Sequence, residues 1–148
     1  MLQRMQSVWL LFAAICAFLT IRLSFYGGNL ETVINPPLSA LPAETSPLQY
    51  LNAAFNIWIL IITIALVCGS VIDIFLYKNR KLQLRIAIVA ILLSLLNIYL
   101  YYKQTLKFSH GFYALTSVLV FVIPVFLFLA ARGIKRDEKL IKSLDRLR

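Results

Sequence analysis

Residues 53–72 read AAFNIWILIITIALVCGSVI, a run of twenty positions without a charged side chain. A helix needs about 20 mostly apolar residues to cross the hydrocarbon core of a bilayer, because each residue rises about 1.5 Å. Lipid offers the backbone no hydrogen-bond partners, so a run of this kind satisfies its own amide groups as an α-helix. This stretch therefore predicts a transmembrane helix, and the rest of the chain is interpreted around it.

Three more apolar runs accompany the first. The run at 8–26 is interrupted only by Arg22, and those at 86–102 and 111–131 carry no charge. The composition agrees, with 61% hydrophobic and 14% charged residues, which is too apolar for a soluble domain of this length. The sequence thus predicts an all-α integral membrane four-helix bundle of two antiparallel hairpins, with spans at about 8–26, 52–77, 84–102 and 111–132.

The distribution of basic residues predicts how this bundle is oriented. If the N-terminus is cytosolic, twelve of the fifteen Lys and Arg residues lie inside, and only Arg22, Lys103 and Lys107 lie outside. Cytoplasmic segments of membrane proteins are enriched in Lys and Arg, so we expect both termini in the cytosol. The net charge of +9 is explained mainly by this topology. Contact with a ribosome or with nucleic acid is a secondary alternative.

The segments outside the spans differ in character. Residues 27–49 contain four of the five prolines and no strand-like alternation, which predicts an irregular periplasmic loop. Residues 134–148 place Leu and Ile at helical spacing among basic residues, which predicts a basic amphipathic cytosolic helix appended to a transmembrane domain of residues 1–133. This tail has two interpretations, attachment to the anionic inner leaflet or docking on a protein partner.

The predicted cytosolic face supplies the candidate interaction residues. It combines the N-terminus, the short link between the second and third spans, and the tail. Three acidic residues interspersed in the tail, Asp137, Glu138 and Asp145, favour a protein surface over a purely lipid one. The candidates are Arg4, Lys78, Arg80, Lys81, Arg85, Lys139, Leu140, Lys142, Leu144, Arg146 and Leu147.

Polar side chains within the spans form the second candidate site. Asp73 is the only acidic residue in any span, and Asn56 and Asn97 are grouped with it as intramembrane amides. A charged group inside a bilayer is costly unless it is paired or hydrated. Asp73 therefore has three interpretations: a carboxylate that reaches the inner interface, an ion pair with Arg4 or Arg85, or a proton or cation site.

The sequence gives little support for catalysis or for a cofactor. A hydrolase or transferase needs a nucleophile with a base, paired carboxylates or a set of metal ligands. The single histidine, His110, lies in the outer loop without a nearby acid, and Cys16 and Cys68 lie in separate spans. We therefore expect a non-enzymatic protein without a cofactor.

Three segments of the chain carry a family resemblance. The start MLQRMQSVWLLFAA (1–14), the link YKNRKLQLR (77–85) and the ending ARGIKRDEKLIKSLDRLR (131–148) resemble the Bacteroidota family of small four-helix inner-membrane proteins described only as a domain of unknown function. The resemblance covers the whole chain and implies a location in the bacterial inner (cytoplasmic) membrane. It brings no activity, cofactor or catalytic residue.

These observations predict a non-enzymatic accessory or scaffolding subunit of a larger membrane protein complex. Protein export or insertion machinery is one candidate assembly, because the candidate residues concentrate on the cytosolic face. The alternative is a small transporter or channel using Asp73, which requires polar side chains from several spans to converge on one cavity. We expect Asn56 and Asn97 toward the outer side and Asp73 toward the inner side, and this separation favours the subunit.

Overall fold

The computed structural model describes residues 2–30, 49–76 and 79–145. Each of its four long helices contains a stretch that is long and apolar enough to cross a membrane. In chain order the elements are α1 (Leu2–Arg22), β1 (Tyr26–Leu30), β2 (Gln49–Leu51), a 3-10 turn (Ala53–Phe55), α2 (Ile57–Phe75), α3 (Arg80–Thr105), β3 (Phe108–Tyr113) and α4 (Ser117–Asp145). The prediction of a mostly helical, multi-pass membrane protein is confirmed at this level.

The four helices form a closed bundle in which α1 packs against α2 and α4, and α3 packs against the same two helices. Buried positions on every helix recur at alternating spacings of three and four residues, the pattern of knobs-into-holes packing. On α3 these positions are Gln83, Ala87, Ala90, Ser94, Asn97, Tyr101 and Gln104.

The polarity of α3 is the inverse of that of a helix in a soluble bundle. The buried stripe of α3 is small or polar, whereas Val89, Leu92 and Leu95 are more than half exposed on the outer surface. Lipid tails are as apolar as leucine, so burying leucine gives helices in a bilayer little drive to associate. Small residues such as Ala13 and Ala130 in the central core allow close helix approach instead.

A small antiparallel sheet covers one end of the bundle. Within the described residues it has the order β2-β1-β3, with Gly27 of the central strand opposite both Tyr50 and Phe112. A Cβ atom at Gly111 would collide with the Tyr26 ring and would lie 2.6 Å from the Gly27 carbonyl oxygen. Glycine at 111 therefore allows β1 and β3 to pair this closely.

The sheet replaces both ends of the predicted irregular loop. Its third strand also means that the last helix starts later than the sequence predicts. Strands occupy 26–30 and 49–51, while 31–48 lie outside the described residues. Residues 108–113 form β3, so α4 begins at Ser117 instead of at residue 111. Aromatic rings fill the space beneath the strands, with the Phe25 and Tyr101 ring centroids 4.6 Å apart. The sheet gathers the C-terminal ends of α1 and α3 and the N-terminal ends of α2 and α4, and we name this region the sheet end.

The fourth helix is continuous where the sequence predicts a boundary between residues 133 and 134. It runs for 29 residues with Pro124 inside it, a length of roughly 43 Å at about 1.5 Å per residue. Ile134 is 1% exposed and continues the buried spacing of Leu127 and Ala130. The first part of the predicted tail is therefore integral to the bundle.

Candidate functional site

The end of the bundle opposite the sheet gathers the start of α1, the end of α2, the start of α3 and the last turns of α4. Side-chain contacts join these segments: Gln6 bonds to Asp137, and the Gln83 Nε2 donates to the Asp73 carbonyl oxygen at 3.1 Å. Exposed basic side chains surround this region. We name it the basic end, defined by Lys81, Arg85, Arg132, Lys135, Arg136 and Lys139.

A carboxylate from α4 fixes the basic end. Asp137, only 7% exposed, accepts a hydrogen bond from the side-chain amide of Gln6 on α1. Its Oδ2 also lies 3.7 Å from the Arg80 Nη1 on α3. Hydrogen bonds to charged groups are roughly twice as strong as neutral ones, so this arrangement holds three helices in one register. We name Gln6, Arg80 and Asp137 the polar clamp.

Gly133 allows α1 to reach the polar clamp. A Cβ atom at this position would lie 2.8 Å from the Gln6 Cγ. The Gln6 side chain is already held by Asp137, so it has little freedom to move away. The absence of a side chain at Gly133 thus determines how closely α1 approaches α4.

The charge pattern of the sequence does not identify Gln6 and Asp137 as positioning residues. A signal for Asp137 is nevertheless present, since it continues the buried three-and-four spacing of Leu127, Ala130 and Ile134 on α4. An acid at a core position needs a partner, which points to a basic residue on a facing helix.

The predicted interaction residues are found in different environments. Arg80 belongs to the polar clamp, whereas Lys81, Arg85 and Lys139 are exposed and Leu140 is 45% exposed. The remaining predicted residues, or their side chains, lie outside the described part of the chain: Arg4, Lys78, Lys142, Leu144, Arg146 and Leu147.

Asp73 points into the bundle and not toward its surface. The residue is 1% exposed, and neither carboxylate oxygen has a hydrogen-bond partner in the part of the chain that the structure describes. The interpretation as a carboxylate that reaches the interface is therefore wrong. No ion pair joins Asp73 to Arg85 among the described residues, and the side chain of Arg4 lies outside them.

The two amides grouped with Asp73 have separate structural roles. The Asn97 Nδ2 donates to the Thr63 Oγ1 at 3.3 Å, which links α3 to α2, and the Asn97 Oδ1 has no partner in the described chain. Asn56 caps α2 by accepting from the Trp58 amide at 3.0 Å. Thr63 and Asp73 are ten residues apart on one helix, a rise of about 15 Å. The structure thus does not bring Asp73 together with either amide.

Hydroxyl groups along the same interface bond within their own helices. The Thr63 hydroxyl donates to the Ile59 carbonyl oxygen at 2.7 Å, and the Ser70 hydroxyl donates to that of Leu66 at 2.8 Å. Such backbone contacts satisfy a buried hydroxyl without leaving a polar path. Among the described residues, no group of three or more His, Cys, Asp or Glu side chains could hold a metal ion.

Comparison with known proteins assigns a family to this architecture. A family model described as a domain of unknown function (DUF4293) matches residues 2–147. This range includes all the described helices and strands. No curated protein and no solved structure matches the chain. The chain therefore belongs to the DUF4293 family.

Proposed function

We propose that the protein is a non-enzymatic accessory or scaffolding subunit of a larger membrane protein complex. In this proposal it crosses the inner membrane of a Bacteroidota bacterium as two antiparallel hairpins with both termini in the cytosol. The basic end then faces the cytosol and forms the docking surface. The positive-inside distribution of twelve basic residues against three supports this orientation.

The observation that carries this proposal is the fixed position of the basic part of α4. Ile134 is buried. Asp137 accepts a hydrogen bond from Gln6 on α1 and forms an ion pair with Arg80 on α3. Lys135, Arg136 and Lys139 on the same turns are exposed. A basic surface that is already ordered loses less conformational entropy when it binds a partner. This geometry suits recognition of an acidic protein surface.

The positive charge of the basic end indicates what kind of partner it binds. Charge complementarity steers association and fixes orientation, so we expect an acidic patch on the cytosolic side of a membrane complex. Protein export or insertion machinery is one candidate for that complex, and ribosome or nucleic-acid contact is the alternative source of negative charge. Anionic lipids of the inner leaflet are the simplest competing ligand.

A pull-down with charge reversal tests the docking surface. The tagged protein is purified from cells in mild detergent, together with a variant carrying Lys135→Glu and Lys139→Glu. We expect recovery of a reproducible partner to fall by about tenfold in the variant, because opposite charges become like charges across the interface. A variant carrying Lys135→Arg and Lys139→Arg is the control and should retain the partner. Equal recovery with both variants, or no reproducible partner, would contradict the proposal.

One observation favours a second function, a proton-linked transporter or channel using Asp73. A buried carboxylate without a described hydrogen-bond partner is uncommon, and ionisable groups inside membrane bundles mark proton and ion pathways. The test is flux in proteoliposomes, comparing wild type with Asp73→Asn. Loss of a proton-linked flux with an intact fold would support transport, whereas wild-type and variant vesicles without flux would exclude it.

A further inference from the structure

A groove of about 330 Å³ lies at the sheet end, between the start of α2 and the last turns of α3. Its charged part is formed by Lys103 and Lys107, and its apolar part includes Trp58, Ile59 and Leu100. We propose that this groove binds an anionic phospholipid, with the headgroup phosphate between the two lysines and the acyl chain along the apolar wall. This inference does not depend on the docking function of the basic end.

The charge of the groove is the first argument. Lys103 and Lys107 are two of the three basic residues that the sequence assigns to this side of the membrane, where basic residues are otherwise depleted. Both lie at one groove, and none of the lining residues in the described chain is acidic. Two lysines without an acidic neighbour among these lining residues favour an anion such as a phosphate.

Local contacts hold the Lys103 ammonium group and the Lys107 backbone beside the groove. The Lys103 Nζ lies 5.8 Å from the centroid of the Tyr99 ring, which also lines the groove. This cation–π contact holds the ammonium group over the aromatic wall. The Lys107 amide donates to the Gln104 carbonyl oxygen at 3.1 Å, so the chain turns sharply after α3 and keeps Lys107 beside the groove.

The aromatic residues place the groove at the depth of lipid headgroups. Trp58 is 67% exposed and Tyr99 is 52% exposed on the outer surface of the bundle. Both residue types favour the membrane interface, where the ring is buried and the polar edge remains wet. Trp58 is held by the cap that its amide makes with Asn56. The N-terminal turn of α2 begins at this wall and adds partial positive charge.

The apolar wall distinguishes a lipid from a soluble anion. Leu100 and the buried Ile59 supply the apolar lining beside the lysines. A free phosphate gains nothing from such a wall, whereas an acyl chain buries against it. A second groove of about 320 Å³, lined by Phe25, Ile98 and Phe121 among others, has no charged residue and lacks a headgroup site.

Native mass spectrometry tests the proposal on the full-length protein in mild detergent. The probes are phosphatidylglycerol and phosphatidylcholine with identical acyl chains, so that only the headgroup charge differs. We expect wild type to retain phosphatidylglycerol about tenfold better, and a variant with Lys103→Gln and Lys107→Gln to reduce this preference severalfold, down to the phosphatidylglycerol that the basic end retains. Lipid-induced thermal stabilisation should change in parallel.

Two further variants make the test specific. Arg22→Gln removes the third basic residue of this side, which does not line the groove, and should retain the preference. A variant with Lys103→Arg and Lys107→Arg should also retain it, which separates charge from folding defects. The proposal is overturned if the glutamine variant keeps the preference, if Arg22→Gln loses it equally, or if inorganic phosphate stabilises the protein as well as phosphatidylglycerol does.

Discussion

At the scale of single residues, we expect the polar clamp to have the largest effect on the stability of the bundle. Asp137 is a buried acid that satisfies its charge with Gln6 and Arg80 from two other helices. Removing Asp137 leaves Gln6 and Arg80 without this partner, and removing Arg80 leaves the buried Asp137 without its counter-charge. Such a loss costs more than the net contribution of the intact contact. The stability of the basic end should therefore depend on these three residues together.

Substitutions at Asp137 and Arg80 of the polar clamp should have non-additive effects on the free energy of unfolding in a double-mutant cycle. We expect Asp137→Asn to lower the free energy of unfolding by about 1–3 kcal/mol, because Arg80 then lacks its counter-charge. Adding Arg80→Gln should recover part of this loss. Thermal unfolding of the four proteins in detergent measures the coupling. Arg85→Gln, at an exposed position on the same helix, is the control and should stay within about 0.5 kcal/mol of wild type. Strict additivity would contradict the clamp.

Two glycines should respond in opposite ways to alanine. At Gly133 an added Cβ would lie 2.8 Å from the Gln6 Cγ, so Gly133→Ala should lower the melting temperature by forcing α1 away from α4. At Gly69 nothing lies within 4 Å of an added Cβ, so Gly69→Ala should be neutral or gain up to about 1 kcal/mol from helix propensity. A melting temperature of Gly133→Ala at or above that of Gly69→Ala would refute this assignment.

At the scale of elements, the helices could be predicted from the sequence, but the sheet and the helix ends could not. Long apolar runs predict helices without information from distant residues, because lipid offers the backbone no other hydrogen-bond partners. The strand β2 has three residues and β1 reads YGGNL, so neither shows the alternation that marks a strand. The central strand β1 also pairs with β3, which begins 78 residues after β1 ends, and no local pattern reveals this contact.

The extension of α4 beyond the last apolar run and the inward direction of Asp73 are both hard to predict from the sequence. Each depends on which face of a helix packs against the bundle. Basic residues after Ala131 resemble the end of a span, and only the buried spacing through Ile134 and Asp137 shows that the helix remains on the bundle. Asp73 is unusual by its residue type alone. Asp73 lies three residues after Ser70 and seven after Leu66, so it shares their buried helix face. This spacing is present in the sequence, but the charge of Asp73 does not reveal it.

Truncation distinguishes an integral helix from an appended tail. A chain ending at Gly133 loses the buried Ile134 and the whole of the Asp137 contact set, so its melting temperature should fall by several degrees. A chain ending at Asp145, where α4 ends, is the control and should melt as wild type does. Equal melting temperatures would mean that residues 134–145 act independently of the bundle.

At the scale of the whole molecule, two chemically different ends define how the protein meets its surroundings. One end carries a sheet with aromatic rings beneath it, and the other carries exposed basic residues held by the polar clamp. Between them, the bundle core combines small and polar side chains with buried leucine and isoleucine, and many further aliphatic side chains face outward. Such a molecule suits a bilayer with a fixed orientation.

Reporter fusions test that orientation. Fusions after Lys81 and after Arg148 should report a cytosolic location, and a fusion inserted within residues 36–47 should report a periplasmic one. The reason is that the opposite orientation would put twelve of fifteen basic residues on the periplasmic side. Alkaline phosphatase and green fluorescent protein activities provide complementary readouts. Any one of the three positions reading the other way would refute this topology.

The strand order β2-β1-β3 also has a consequence for biosynthesis. The central strand β1 is made first, β2 joins it next, and β3 is complete only when residue 113 has been added. The 62 residues between the ends of β2 and β3 take roughly 3–12 s to synthesise at about 5–20 residues per second. During that interval the edge of the nascent β1 that pairs with β3 lacks that strand. A chain that stalls before residue 108 leaves this edge open to strand addition by other polypeptides.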